Sequence, residues 1–287
     1  EKGEAYGATI AGNTAVSSDW STYRRNNARS GHTPVEVPSE ISSKWQVELK
    51  GKLTPPIAVG DRVFIASVDA HKVFCLEANT GKTVWHYTAG GRIDSPPSYH
   101  NGRIIFGSRD GYVQCLDAQT GKFIWRFRAA PDDMRICAFG QLESAWPVFG
   151  SVVVQNDEIY CAAGRSTHLN SGIFLYVLDL KTGKPLRSRQ IEPDMEAPLE
   201  MQESILADLL VGNEKQVHMR GLTFDTTTLR TVDGGAYANK QRDRTSTGFA
   251  HLMSFSGFLD DTWYNASYWL LKNRSNIGHI LSFDAAK

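Results

Sequence analysis

From about residue 53 onward, short runs rich in Val, Ile, Phe, Tyr and Trp alternate apolar with polar positions and are cut by clusters of Gly, Asn, Asp or Pro. A period of two bounded by turn formers predicts half-buried β-strands, and no helical period competes with it. The pattern also repeats. Val73-Phe74-Cys75-Leu76-Glu77-Ala78-Asn79-Thr80-Gly81-Lys82-Thr83-Val84-Trp85 returns forty residues later as Val113-Gln114-Cys115-Leu116-Asp117-Ala118-Gln119-Thr120-Gly121-Lys122-Phe123-Ile124-Trp125, with eight of thirteen positions identical. A matching pair of strand candidates precedes each copy, at 55–59 and 62–67, then at 96–99 and 103–108. A third copy, Tyr176 to Leu186, carries Arg187 where tryptophan would fall, and weaker echoes lie at 222–227 and 280–287.

A fixed period near forty residues points to a propeller, because a small four-stranded sheet must bury both faces against neighbours. The predicted fold is all-β, a β-propeller of four-stranded antiparallel blades. About five blades are visible, at 53–90, 92–130, 135–191, 203–233 and 249–287. The strand near Trp45 is expected to complete a blade within a propeller over 19–287, after an N-terminal extension at 1–18. Long insertions in the third and fifth units favour a fragment of a larger, seven- or eight-bladed propeller over a closed ring of five. Each Thr-Gly-Lys tripeptide sits where two strands reverse, and its glycine supplies the positive φ a tight hairpin needs.

Composition narrows the function classes. Lys plus Arg equals Asp plus Glu at 31 each, so no global field attracts nucleic acid. No run approaches the roughly 18 apolar residues of a membrane span, and Glu1-Lys2-Gly3-Glu4 is not the start of a signal peptide. Any export signal is expected to have been removed or to lie outside this sequence. Cys75, Cys115, Cys137 and Cys161 show no metal or dithiol spacing and are expected to be buried apolar residues. The histidines are scattered without a metal motif, and His71 is expected on an exposed turn.

The pattern Ala/Leu-x-Asp/Glu-Ala-x-Thr-Gly-Lys-x-x-Trp resembles the tryptophan-docking motif of pyrroloquinoline-quinone (PQQ) repeat propellers, both quinoproteins and BamB-like proteins. The resemblance implies that Trp85 packs on the glycine turn of an adjacent blade, at Gly81 or Gly121, and that Trp125 does likewise. The run Asp19 to Gly31, with Lys44-Trp45, also resembles the opening of exported propellers of this class, including planctomycete-type proteins. A periplasmic or extracellular location follows from that resemblance alone. Quinone-dependent enzymes of the family hold PQQ beside calcium and an adjacent-cysteine disulfide. No Cys-Cys pair exists here, so no cofactor is evident, although PQQ with calcium is not removed as an alternative.

Propeller ligands bind among inter-blade loops, so insertions matter more than repeats. The insertion 126–147 offers Arg135, Gln141, Glu143 and Trp146: arginine for an anion, the amide and carboxylate for hydroxyls, tryptophan for a ring. Equally, Glu143 is expected to pair with Arg135 or with another blade's arginine while Trp146 packs. The polar loop 163–172 adds Arg165 and His168. Asp260-Asp261 beside aromatics and the acidic tract 190–203 are further polar features, the latter read as a solvated loop. The favoured function is a binding or scaffold module for a protein or glycan. The alternatives are a quinoprotein oxidoreductase and a carbohydrate-active enzyme using Glu143, Arg135 and His168, so catalysis is left open. No nucleophile elbow, zinc signature or phosphate loop is present.

Overall fold

The computed structural model describes residues 1–12, 14–36, 38–193, 205–220, 222–232, 251–254, 267–271 and 275–276. Among them there is no helix. The first sheet is β1 (Ile57–Val59), β2 (Arg62–Ser67), β3 (Lys72–Glu77) and β4 (Thr83–Thr88); the second is β5 (Ser98–His100), β6 (Arg103–Gly107), β7 (Tyr112–Asp117) and β8 (Phe123–Arg128). A separate hairpin, β9 (Arg135–Ala138) and β10 (Gln141–Ser144), precedes the third sheet of β11 (Val153–Gln155), β12 (Glu158–Ala163), β13 (Ile173–Asp179) and β14 (Pro185–Ile191). Two three-stranded sheets follow: β15 (Val211–Gly212), β16 (Gln216–Met219) and β17 (Leu222–Asp225), then β18 (His251–Ser254), β19 (Ser267–Leu271) and β20 (Ser275–Asn276). All pairings are antiparallel between consecutive strands, the meander expected of propeller blades.

The two-residue period of the sequence decides the packing. Within β12, Ile159, Cys161 and Ala163 turn toward the second sheet, joining Val113, Cys115 and Trp125 in one core. The intervening Tyr160 and Ala162 turn the other way, onto Val217, Met219 and Phe224 of the fourth sheet. In β6, Ile104 and Phe106 face Phe64 and Val73 of the first sheet, whereas Ile105 faces the third. The second and third sheets thus each share one core with each neighbour.

Tryptophans close these seams. The Trp85 indole lies where a Cβ on Gly121 would be, 2.6 Å away, and its Nε1 donates to Ala118 O at 3.0 Å. Trp125 covers Gly183 in the same way and donates to Leu180 O at 3.1 Å. Gly81 is covered by Trp45, whose Nε1 donates to Ala78 O at 2.9 Å, and not by Trp85. Although Trp45 takes this position, residues 44–50 form no strand. The docking glycines combine positive φ, +71° at Gly121, with a ring in the Cβ position, so no other residue fits there without displacement.

The N-terminal residues are built into the sheets. Gly3 N donates to Ile124 O and Ala5 N to Phe123 O, so the first residues run along the outer strand β8. The run 19–31 crosses the inner strands of four sheets in turn. Trp20 and Ala58 exchange backbone hydrogen bonds, Tyr99 N donates to Ser21 O, Asn27 Nδ2 to Val154 O and Gly212 N to Asn27 O. Arg29, fully buried, fastens this run with hydrogen bonds to Leu210 O, Tyr23 O, Ser151 O, Val152 O and Thr22 Oγ1. A guanidinium's planar fork of donors makes one side chain sufficient for that task.

Candidate functional site

In a meander, the β2–β3 turn and the linker from β4 to the next sheet emerge at the same end, opposite the Thr-Gly-Lys turns. At that end of the first three sheets lies a buried charge network. Arg109, in the β6–β7 turn, is 0% exposed; its Nε donates to Asp94 and its Nη1 to both oxygens of Glu143, at 2.9 and 3.1 Å. Arg165, just after β12, donates from Nη2 to Glu143 Oε2 at 2.5 Å. Arg92, in the β4–β5 linker, reaches Asp94 at 3.4 Å and Asp69 of the first sheet at 3.3 Å. Three guanidiniums therefore meet three carboxylates. Five of these six side chains are nearly sealed from water, and Asp69 alone is half-exposed. Such a network is held together by mutual compensation, since removing one charge leaves another buried and unpaired. Arg109 Nη2 and Arg165 Nε have no hydrogen-bond partner among the described residues.

The hairpin β9–β10 folds over this network. Its two-residue turn, Phe139-Gly140, has φ of +52° and +71°, the mirror-image turn that suits strand twist. A phenylalanine with positive φ is uncommon, and here its ring is held by cations: Arg109 lies 4.3 Å and Arg92 4.9 Å from its centroid. Phe149 takes the other side of the cluster, 4.8 Å from Arg109 and 5.6 Å from Arg165. His71 Nε2 donates to Gln141 Oε1 at 2.6 Å, tying the hairpin to the first sheet. His71 is half-buried, with φ of +58°, and not the exposed turn residue expected.

The structure divides the candidates of the sequence analysis. Glu143 and Arg165 meet in the network, and Gln141 fixes its cover. Trp146 is 5% exposed and packs, its Nε1 donating to Asn170 O at 2.5 Å. Arg135 is exposed and pairs with Asp133 at 3.4 Å, because on β9 it stands opposite Ser144 and not Glu143. His168 is exposed and touches Thr167 Oγ1 at 3.4 Å, so neither it nor Arg135 joins Glu143. Asp260, Asp261 and most of the acidic tract lie outside the described residues. Arg109, Arg92, Asp94 and Phe139 were not anticipated. One signal was available: Arg109 follows Ser108 where the first repeat has Val68 after Ser67, a charge in place of an apolar residue in a turn one residue shorter.

Of the cysteines, Cys75, Cys115 and Cys161 are buried, and burial pushes Cys75 and Cys161 up to about 12 and Cys115 higher still. Cys137 on β9 is exposed, contrary to expectation, because the hairpin has only one covered face. No group of three His, Cys, Asp or Glu among the described residues is placed to hold a metal ion. No helix among them is long and apolar enough to cross a membrane.

A family described as outer membrane protein assembly factor BamB matches residues 42–229. No curated protein matches the chain. Among solved structures, a quinohemoprotein alcohol dehydrogenase from Pseudomonas putida HK5 is similar with a TM-score of 0.53 and 17% identity, over 67% of this chain and 31% of the other. A second, from Comamonas testosteroni, gives 0.50 and 17% over 64% and 29%. BamB from Moraxella catarrhalis gives 0.50 and 17% over 84% and 67%. At these identities the likeness is one of fold, and the chain spans about a third of the length of the two dehydrogenases.

Proposed function

Because this chain belongs to the BamB family of PQQ-repeat β-propellers, we propose that it is an exported, non-catalytic scaffold that holds a protein partner at the loop end of its first three sheets. One observation carries the proposal. The hairpin β9–β10 is pinned through Gln141, Glu143 and one face of Phe139 to the network, yet it and its lead-in turn Leu142, 60% exposed, and Met134, 41%, outward and leave the other face of Phe139 open. Exposed apolar groups on a rigid element, with polar neighbours around them, suit a protein interface. The partner's ordering cost is kept low when the presenting side is already fixed. Nothing comparable supports a glycan partner. The tryptophans fit the same scheme as inter-blade docking elements that make the scaffold stiff.

A quinone with calcium suits these residues poorly. The arginines that would take its carboxylates are already engaged by Asp94, Asp69 and Glu143. The cysteines are separate, and the described residues offer no cluster of cation ligands. The test is calorimetric titration of metal-stripped protein with PQQ and calcium. No saturable heat is expected, and stoichiometric binding would replace the scaffold reading with a quinoprotein one.

A further inference from the structure

Three consecutive seams are closed by an indole on a glycine turn, and the fourth is built differently. Strand register aligns Trp85, Trp125 and Arg187, since they stand opposite Cys75, Cys115 and Val177 after the same bulge. Two residues on, Tyr87 and Phe127 align with Arg189. Tyr87 stacks on Phe123 of the next sheet, and Phe127 meets Tyr176 of the next sheet edge to face. Aromatic-x-aromatic has become Arg187-Ser188-Arg189. The receiving turn has changed with it: Leu229, at φ +54°, occupies the place of Gly81, Gly121 and Gly183, and Arg230 that of the lysine.

The seam still closes, with other atoms. Tyr160 Oη donates to Thr226 O at 3.3 Å, taking the acceptor equivalent to those used by the three indoles. Arg187 is bound to Glu158, which shares the single Tyr160 hydroxyl proton with Thr226 O and lies nearer to it, at 2.9 Å. What the absent rings leave is an open groove of about 540 Å³ lined by Ser188, Arg189, Thr228, Leu229, Arg230 and Thr231. Arg189 is oriented by its Nη1 bond to Leu229 O at 2.9 Å and lies over Phe224. Neither Arg189 nor Arg230 has an ion-pair partner among the described residues, in contrast to the carboxylate-paired arginines of the loop end. The nearby Asp225 carboxylate is turned into its own hairpin, accepting from Thr227 N, Thr228 N and Thr228 Oγ1.

We propose that this groove between the third and fourth sheets is a binding site for a tetrahedral oxoanion, a phosphate or sulfate group, free or carried on a small molecule. Two guanidiniums supply charge and forked donors, and the Ser188, Thr228 and Thr231 hydroxyls supply neutral donors, the combination that recognises such groups. The site is independent of the scaffold function, which rests on the opposite end of the sheets.

The test is calorimetric titration of the full chain with inorganic phosphate, inorganic sulfate and glucose 6-phosphate, with sodium acetate as control. Saturable binding of at least one of the three, and none of acetate, is expected. Tighter binding of the sugar phosphate than of phosphate would assign the site to an ester, and equal or weaker binding to the free ion. Arg230→Met, at an exposed side chain, should weaken binding about tenfold or more. Arg187→Trp combined with Leu229→Gly restores the docking pair of the other seams, fills the groove, and should abolish binding while the circular dichroism spectrum stays that of the parent. If this variant does not fold, Arg230→Met and Arg230→Lys decide, the lysine retaining most of the affinity. No binding by the parent protein, or undiminished binding by Arg230→Met, would overturn the proposal.

Discussion

Replacing Trp125 with alanine tests the packing on which the fold depends. The side chain is 1% exposed, rests on Gly183, and belongs to the core shared by the second and third sheets. A buried tryptophan removes roughly 150–250 Å² from water. At about 25 cal/mol per Å² that burial contributes about 4–6 kcal/mol. Alanine keeps part of that burial while the cavity adds a term of its own, and truncations of this kind cost about 3–5 kcal/mol. The substitution also strips Leu180 O of its donor, about 1 kcal/mol more if water does not replace it. For a chain of this size the thermal midpoint should fall by about 6–20 °C. Far-ultraviolet circular dichroism during heating gives the midpoint without relying on the fluorescence that the substitution removes. A drop of less than about 2 °C would refute the wedge and with it the face-to-face packing of these sheets.

Three further outcomes follow from the same structure. Glu143→Ala leaves Arg109 and Arg165 without their shared carboxylate and should cost about 3–5 kcal/mol in urea unfolding, whereas Arg135→Ala should change stability by less than about 0.5 kcal/mol. Iodoacetamide at mildly alkaline pH should label Cys137 alone in the folded protein and all four cysteines in urea, as mass spectrometry of the peptides would show; native labelling of Cys115 would contradict its burial. Burial raises the Asp110 carboxyl above its ordinary 3.8, so the folded state binds that proton more tightly and stability falls as pH climbs through the raised value. Asp110→Asn, which keeps an acceptor for Ser108 Oγ, should therefore raise the melting midpoint near neutral pH and lose that gain below pH 3.8; an unchanged midpoint at both would contradict the shift.

The sheets were legible because propeller packing writes itself into each repeat: alternate residues of β6 and β12 face different neighbours, so both sets must be apolar. The tryptophan–glycine contacts were legible too, apart from the choice between Gly81 and Gly121, which depends on the direction in which successive sheets stack. The charge network was only half legible. Glu143 and Arg165 stood out inside insertions, but Arg109 lies in a short turn between two well-matched strands, where the one-residue difference in turn length obscures which residue replaces Val68. Asp94 and Arg92 sit in one linker and pair with each other, but their further partners, Arg109 and Asp69, lie in turns more than ten residues away. Phe139 looked like one apolar residue among several, and only the positive φ of the hairpin turn aims its ring at the guanidiniums. The Arg187 departure was visible in the sequence, but that it comes paired with Leu229 is apparent only once the strands are in register.

The most direct test of the scaffold function is site-specific photocross-linking, with benzoylphenylalanine placed at Leu142 on the hairpin or, as control, at Val84 on the outer strand β4, both exposed. In cells producing the protein, the account predicts one discrete cross-linked protein from Leu142 and none of that identity from Val84. Cross-linking equal at both positions, or absent from Leu142, would contradict it.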